Sequence, residues 1–203
     1  VYGFDDRLSP YYSYEGNGAS LRVTGANGVD VDGNHYRFAQ AGGALLRIFP
    51  LAVNHALLAR IRADWQFGDA PPQHGLRLGD RYRGARGFES DEVRSDRRAI
   101  ASAEYRHVLE GGGHTDLWGL LTFTRIEGAL FGDAVYMPID RDDCHREWFY
   151  DVGYGLRFMG DLFNISPTTF QIDAALPIGR CADSTGRPPL TVTLAVLQSF
   201  AMF

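Results

Sequence analysis

Residues 57–67 switch polarity at every step. Leu57, Ala59, Ile61, Ala63, Trp65 and Phe67 fall on one side of an extended chain, and Leu58, Arg60, Arg62, Asp64 and Gln66 on the other. Residues 148–158 repeat the pattern, with Trp148, Tyr150, Val152, Tyr154, Leu156 and Phe158 set against Phe149, Asp151, Gly153, Gly155 and Arg157. A period of two is the mark of a β-strand with two unlike faces. Weaker runs of the same kind occupy 19–26, 36–49, 97–108, 115–131, 168–177 and 190–203, which predicts about eight strands. Most have about ten residues or more. That is enough to cross a hydrocarbon layer at a tilt of about 45°, whereas soluble strands usually have about five or six residues.

The rest of the composition narrows the class. Apolar residues make up 45% of the 203 and charged residues 22%, too much core-forming material for a disordered chain. No stretch approaches the roughly 20 apolar residues of a membrane helix. In lipid, backbone polar groups must pair within the protein, so an antiparallel sheet closed into a barrel is the remaining way to span. The expected fold is therefore all-β, a transmembrane antiparallel β-barrel. A formal charge of −5 and a pI near 5.6 exclude the clustered basic surface that nucleic acid requires.

Charge on the second face supports a hydrated interior. Arg22, Arg37, Arg47, Arg60, Arg62, Glu104, Arg106 and Arg157 all read as facing away from lipid. In a dry core that many ions would be too costly unless paired or wetted. Trp65, Phe67, Trp118, Trp148, Tyr150 and Phe203 fall near predicted strand ends, the level that amphipathic rings favour at a membrane interface. A soluble sandwich or lipocalin-like barrel also alternates, and is the competing architecture.

Connections alternate in length. Compact links are expected at 50–56, 109–114 (with Gly111, Gly112 and Gly113) and 159–167, and longer ones at 27–35, 68–96, 132–147 and 178–189. Outer-membrane barrels carry short periplasmic turns and long external loops, so both termini are expected on the periplasmic side. Residues 1–17 are read as a short tether or plug, and 18–203 as the barrel. Cys144 and Cys181 fall in successive external loops, where an oxidising compartment would allow a disulfide.

Chemistry-bearing motifs are sparse. No Cys or His pair has zinc spacing, so neither metal nor cofactor is expected. Asp140, Asp142 and Asp143 read as a solvated acidic loop. Hydrolase elbows, zinc-protease helices and phosphate-cradling glycine loops are missing. Ser102 and His107, five apart, fall on opposite faces of one strand. The chain is not expected to be an enzyme.

The longest loop holds Leu78-Gly79, then Arg86-Gly87-Phe88, and the strand after it holds Glu104-Tyr105-Arg106. This order resembles the BamA/TamA superfamily of outer-membrane assembly and translocation barrels, the bacterial surface antigen family, over the C-terminal half of its barrel. The resemblance implies that Arg86, Gly87 and Phe88 form the tip of a loop folded into the lumen, where Arg86 meets Glu104. Glu127, on the next strand, is the second acidic residue read there, although Ile126 stands where the family usually has an aspartate two residues before a glycine. Phe203 matches the terminal phenylalanine, but Ala201 replaces the aromatic that commonly accompanies it.

That family has about sixteen strands. A barrel of about eight has room only for side chains or one small ligand. A homodimer joining two copies edge to edge is therefore expected, with two natural alternatives, a fragment and a short barrel that leaves the loop outside. Implied by the resemblance are a place in the bacterial outer membrane, contact with its lipids, and polypeptide clients whose insertion or translocation the protein assists. The alternatives are a structural or pore-forming barrel without insertase activity, and a barrel-borne lipid enzyme. The family's periplasmic docking modules have no counterpart before the first strand, which argues for drifted function.

Overall fold

The computed structural model describes residues 2–7, 15–29, 33, 35–71, 74–79, 85–89, 93–117, 121–139, 147–162, 166–179 and 190–198. These form a nearly all-antiparallel β structure with no α-helix among the described residues. The strands are β1 (Tyr2–Asp5), β2 (Gly16–Val29), β3 (His35–Ala52), β4 (His55–Asp69), β5 (Leu76–Arg77), β6 (Arg94–Ser95), β7 (Arg97–Leu117), β8 (Leu121–Tyr136), β9 (Trp148–Leu162), β10 (Ser166–Ile178) and β11 (Thr191–Gln198). Nine of them make one meander in the order β1-β2-β3-β4-β7-β8-β9-β10-β11, and β5 pairs with β6 inside the long loop.

Period-two patterning becomes two unlike faces. Ile61 and Trp65 of β4 are 63% and 48% exposed, while Asp64 between them is 2% exposed. Cross-strand register carries this parity across the sheet. Leu45, Ile61, Ala101, Ala134, Tyr150 and Ile178 form one row on the exposed face. The adjacent row on the other face is Leu46, Arg60, Ser102, Asp133, Asp151 and Pro177. A slip of one residue would exchange the two sets, so the pattern itself fixes the register.

Three features differ from the sequence expectation. Tyr2–Asp5, within the segment read as a tether, is a ninth strand that pairs with Gly18–Leu21 of β2. Residues 109–114 are not a turn: β7 runs on to Leu117, and the link to β8 is 118–120. The glycines there sit at register shifts between Val108 and Glu110 and between Gly111 and Thr115. Glycine within a long strand marks a bulge as readily as a turn. Finally, Arg37 and Arg47 are exposed, and they share the parity of Leu45 rather than that of the charged face.

β3 and β4, β7 and β8, and β9 and β10 run into one another at one end of the strands, as β1 and β2 do, and β2 and β3, β4 and β7, β8 and β9, and β10 and β11 at the other. Asn54 takes φ 65 in the two-residue β3–β4 link, a left-handed conformation that asparagine tolerates. The sheet ends at β1 on one side and β11 on the other. Among the described residues, Arg22–Val29 of β2 has a strand partner only in β3.

Candidate functional site: the Arg86 anchor on the charged face

The long β4–β7 loop lies over the charged face and brings its own core. Leu78 N donates to Val93 O (3.0 Å) and Ala85 N to Leu78 O (3.0 Å), which folds the loop back on itself beyond β5 and β6. Leu76, Leu78, Ala85, Phe88 and Val93 then pack on Ile100, Val135, Met137 and Phe149. Phe88 is 4% exposed and meets Phe149 edge to face, with ring centroids 5.8 Å apart, a favoured aromatic geometry.

Arg86 joins this loop to two strands. Its Nη1 donates to Glu104 Oε2 (2.7 Å) on β7, and its Nε to Asp133 Oδ2 (2.9 Å) on β8, with Nη2 to Asp133 Oδ1 at 3.2 Å. The pair with Asp133 is a two-pronged fork, the arrangement in which a planar guanidinium gives both strength and direction. Phe131 lies between the two carboxylates on the same face, and the Arg86 Cζ stands 3.5 Å from its ring centroid, within cation–π range.

Gly87 extends the attachment to β9 and β11. Its N donates to Asp151 Oδ2 (2.7 Å), and its carbonyl accepts from the Thr191 hydroxyl (2.8 Å). A Cβ at this position would come within 2.7 Å of Asp151 Cβ and 3.2 Å of Pro177 N, so only glycine allows the approach. The tripeptide is thus fixed to four strands of one sheet.

The carboxylates are supported in turn. Glu104 Oε1 accepts from Arg106 Nε (2.7 Å) and Oε2 from Arg157 Nη2 (2.9 Å). Nearer the long-loop edge, Asp64 pairs with Arg62 (2.6 Å) and Arg98 (2.9 Å), and Arg98 also donates to the Arg77 carbonyl of the loop. Burial works against the Arg86 charge, but Asp133 and Glu104 outweigh it and raise the pKa of the guanidinium above its ordinary value. Arg86 is therefore a permanent cation.

The structure brings Arg86, Gly87, Phe88 and Glu104 together. Glu127 does not take the second acidic place. It pairs with Arg125 on its own strand (2.7 Å) and faces Arg157 across to β9. Asp133, missed in the sequence, fills that place, and its parity with the inward Phe131 and Val135 was the available signal. Ser102 lies on the charged face, donating no reach to His107, which stands on the exposed face. Cys144, Cys181, Trp118, Phe203 and the acidic Asp140, Asp142 and Asp143 lie outside the described residues.

What this arrangement can do is mechanical. It ties a loop to a charged sheet face through one cation, several carboxylates and an apolar lock. No family model matches the chain, and no curated protein or solved structure matches it.

Proposed function

We propose that this chain is a bacterial outer-membrane barrel unit of the BamA/TamA type, assisting polypeptides to insert into or cross the membrane. The observation that carries the reading is the seat of Arg86-Gly87-Phe88 on the charged face, opposite a face dominated by exposed apolar side chains. In this reading the charged face lines a hydrated lumen and the apolar face meets lipid. The loop narrows the lumen, and its release would open it.

Two copies joined through the open side of β2 and through β11 complete a barrel of about sixteen strands. Hydrocarbon tolerates no unpaired strand edges, and a barrel of that size leaves room for an inward loop from each chain. The partners are then a second copy, outer-membrane lipids and client polypeptides, and the start of β2 and the end of β11 both face the periplasm.

A second reading, a structural or pore-forming barrel, is favoured by the tightness of the anchor: Glu104, Asp133 and Asp151 are all nearly fully buried beneath the loop, as in a permanent plug. Reconstitution into vesicles separates the two. Faster membrane insertion of an unfolded outer-membrane client supports the assembly role, and ion conductance without client insertion supports the plug. A strictly monomeric mass in detergent at every concentration would remove the two-chain barrel.

A further inference from the structure

β1 lies on the edge through which a second copy would join. Tyr2, Gly3, Phe4 and Asp5 pair with Leu21, Ser20, Ala19 and Gly18 of β2, and β3 holds the other side of β2 along its whole length. A strand has only two edges. The outer edge of β2 therefore divides into Gly18–Leu21, covered by β1, and Arg22–Val29 beyond it.

β1 sits there as a strand of the wall would. Tyr2 and Phe4, 83% and 61% exposed, share the apolar face with Leu21 and Ala19, while Gly3 and Asp5 take the other parity. Yet it is held lightly. It has four residues, all exposed, against eight in β11 and fourteen in β2, and among the described residues it pairs only with β2. At its foot Asp6 N donates to Asn17 O (3.1 Å) and Asn17 Nδ2 to Asp6 Oδ2 (3.1 Å), a hold that does not depend on the pairing of β1.

Parity limits how β11 of a second copy can meet β2. Leu21, Val23 and Val29 are exposed on β2, and Val192 and Leu194 on β11, so odd-numbered residues of β2 must face even-numbered residues of β11 if both apolar sets are to meet lipid. Pairing Asn27 with Val192 and Gly25 with Leu194, antiparallel, meets this condition and engages Arg22–Gly28 with Thr191–Leu197. It also sets Gln198 opposite Leu21, the residue that Tyr2 holds. Sliding β11 by two residues one way carries it further under β1, and the other way leaves the edge at Arg22 unpaired in hydrocarbon. Nor can a straight strand pass outside β1, whose outer edge stands one strand spacing, about 4.8 Å, farther from β2 than the edge of Arg22–Val29.

We infer that β1 is an exchangeable cover, which protects the Gly18–Leu21 edge in the single chain and gives it up to β11 of a second copy when the barrel closes. The inference rests on the two-copy barrel proposed above. A bare edge templates wrong pairings, and a cover tied to the same chain competes with any incoming strand at a high effective concentration. The joint then forms only with a strand that pairs along more of β2 than β1 does, as β11 can.

The test locks β1 in place. A Cβ on Gly3 would stand 3.9 Å from the Ser20 Cβ, within the span of a disulfide, so Gly3→Cys with Ser20→Cys, in the full chain carrying Cys144→Ser and Cys181→Ser, should bond within the chain. Mass in detergent is read over a concentration series for the oxidised and the reduced form of this one protein. The reduced form is expected to dimerise, and the oxidised form to show a dimer fraction at least about tenfold smaller. Tyr2→Gly with Phe4→Gly, which strips β1 of its side chains on the apolar face, should act in the opposite sense and lower the concentration of half-dimerisation. Equal dimerisation of the oxidised and reduced forms, a glycine variant no readier to dimerise than wild type, or cysteines that do not bond within the chain overturns the exchange while the two-copy barrel stands. A wild type that forms no dimer at any concentration overturns both.

Discussion

The Arg86 guanidinium reaches Asp133 through two of its nitrogens, 47 residues away in sequence, and this fork is the firmest link between the loop and the sheet. Asp133 has a fully buried side chain, and Arg86 covers it. Because the cation and its two acids enclose one another, removing the cation strands the acids.

Replacing Arg86 with alanine is therefore expected to cost about 3–5 kcal/mol of local loop stability, the usual penalty for leaving buried charge unpaired. Arg86→Lys should recover only part of this, since an ammonium cannot form the planar fork. Limited proteolysis of the folded protein in detergent reads the effect as cleavage within 70–96. The sign with pH follows from the raised guanidinium pKa. A cation with a raised pKa stabilises fully below its unfolded value, and this is lost only as pH climbs through the still higher folded value. Arg86 itself should not release the loop anywhere up to about pH 11.

Asp133 and Asp151 stand directly opposite one another on β8 and β9, an unfavourable pairing when both are charged. Asp151 nevertheless accepts the Gly87 N–H. Asp151→Asn keeps an acceptor and removes a like charge, so it should leave loop protection unchanged or improve it by up to about 1 kcal/mol. Asp151→Ala should lose about 1–3 kcal/mol, the cost of a buried N–H without a partner. Hydrogen exchange at Gly87 measures both, and Asn behaving like Ala would contradict the assignment.

Phe88 and Phe149 supply the apolar half of the anchor. Each alanine variant should lower stability by about 3–5 kcal/mol. A double-mutant cycle on the midpoint of thermal unfolding should give a coupling of about 0.5–1.5 kcal/mol for the edge-to-face pair. A coupling of zero would show that the rings are independent.

Sequence made the strands legible wherever both faces were informative. In β4 and β9 every second residue is bulky and apolar, so phase and face were readable. Four-residue β1 is too short to show a period. The β7–β8 turn was misplaced because three consecutive glycines look like punctuation, whereas here they lie within the strand at a bulge. Arg47 was assigned to the charged face by its chemistry alone. Its parity with Leu45 says otherwise, and its position over Phe49 shows how a long side chain is accommodated among apolar neighbours. Of the anchor, Arg86, Gly87, Phe88 and Glu104 were visible through their order along the chain. Asp133 and Asp151 were not, because a lone carboxylate gains its role only when register sets it beneath the loop.

The claim on which the rest depends is that the face bearing Ile61, Trp65, Trp148 and Tyr150 lies against hydrocarbon. Tryptophan fluorescence in vesicles whose acyl chains carry bromine tests it directly, since bromine quenches only rings within the bilayer. With Trp118 replaced by phenylalanine, Trp65 and Trp148 should be strongly quenched in brominated vesicles relative to unbrominated ones. A folded protein that stays in the aqueous phase with unquenched emission would contradict the account.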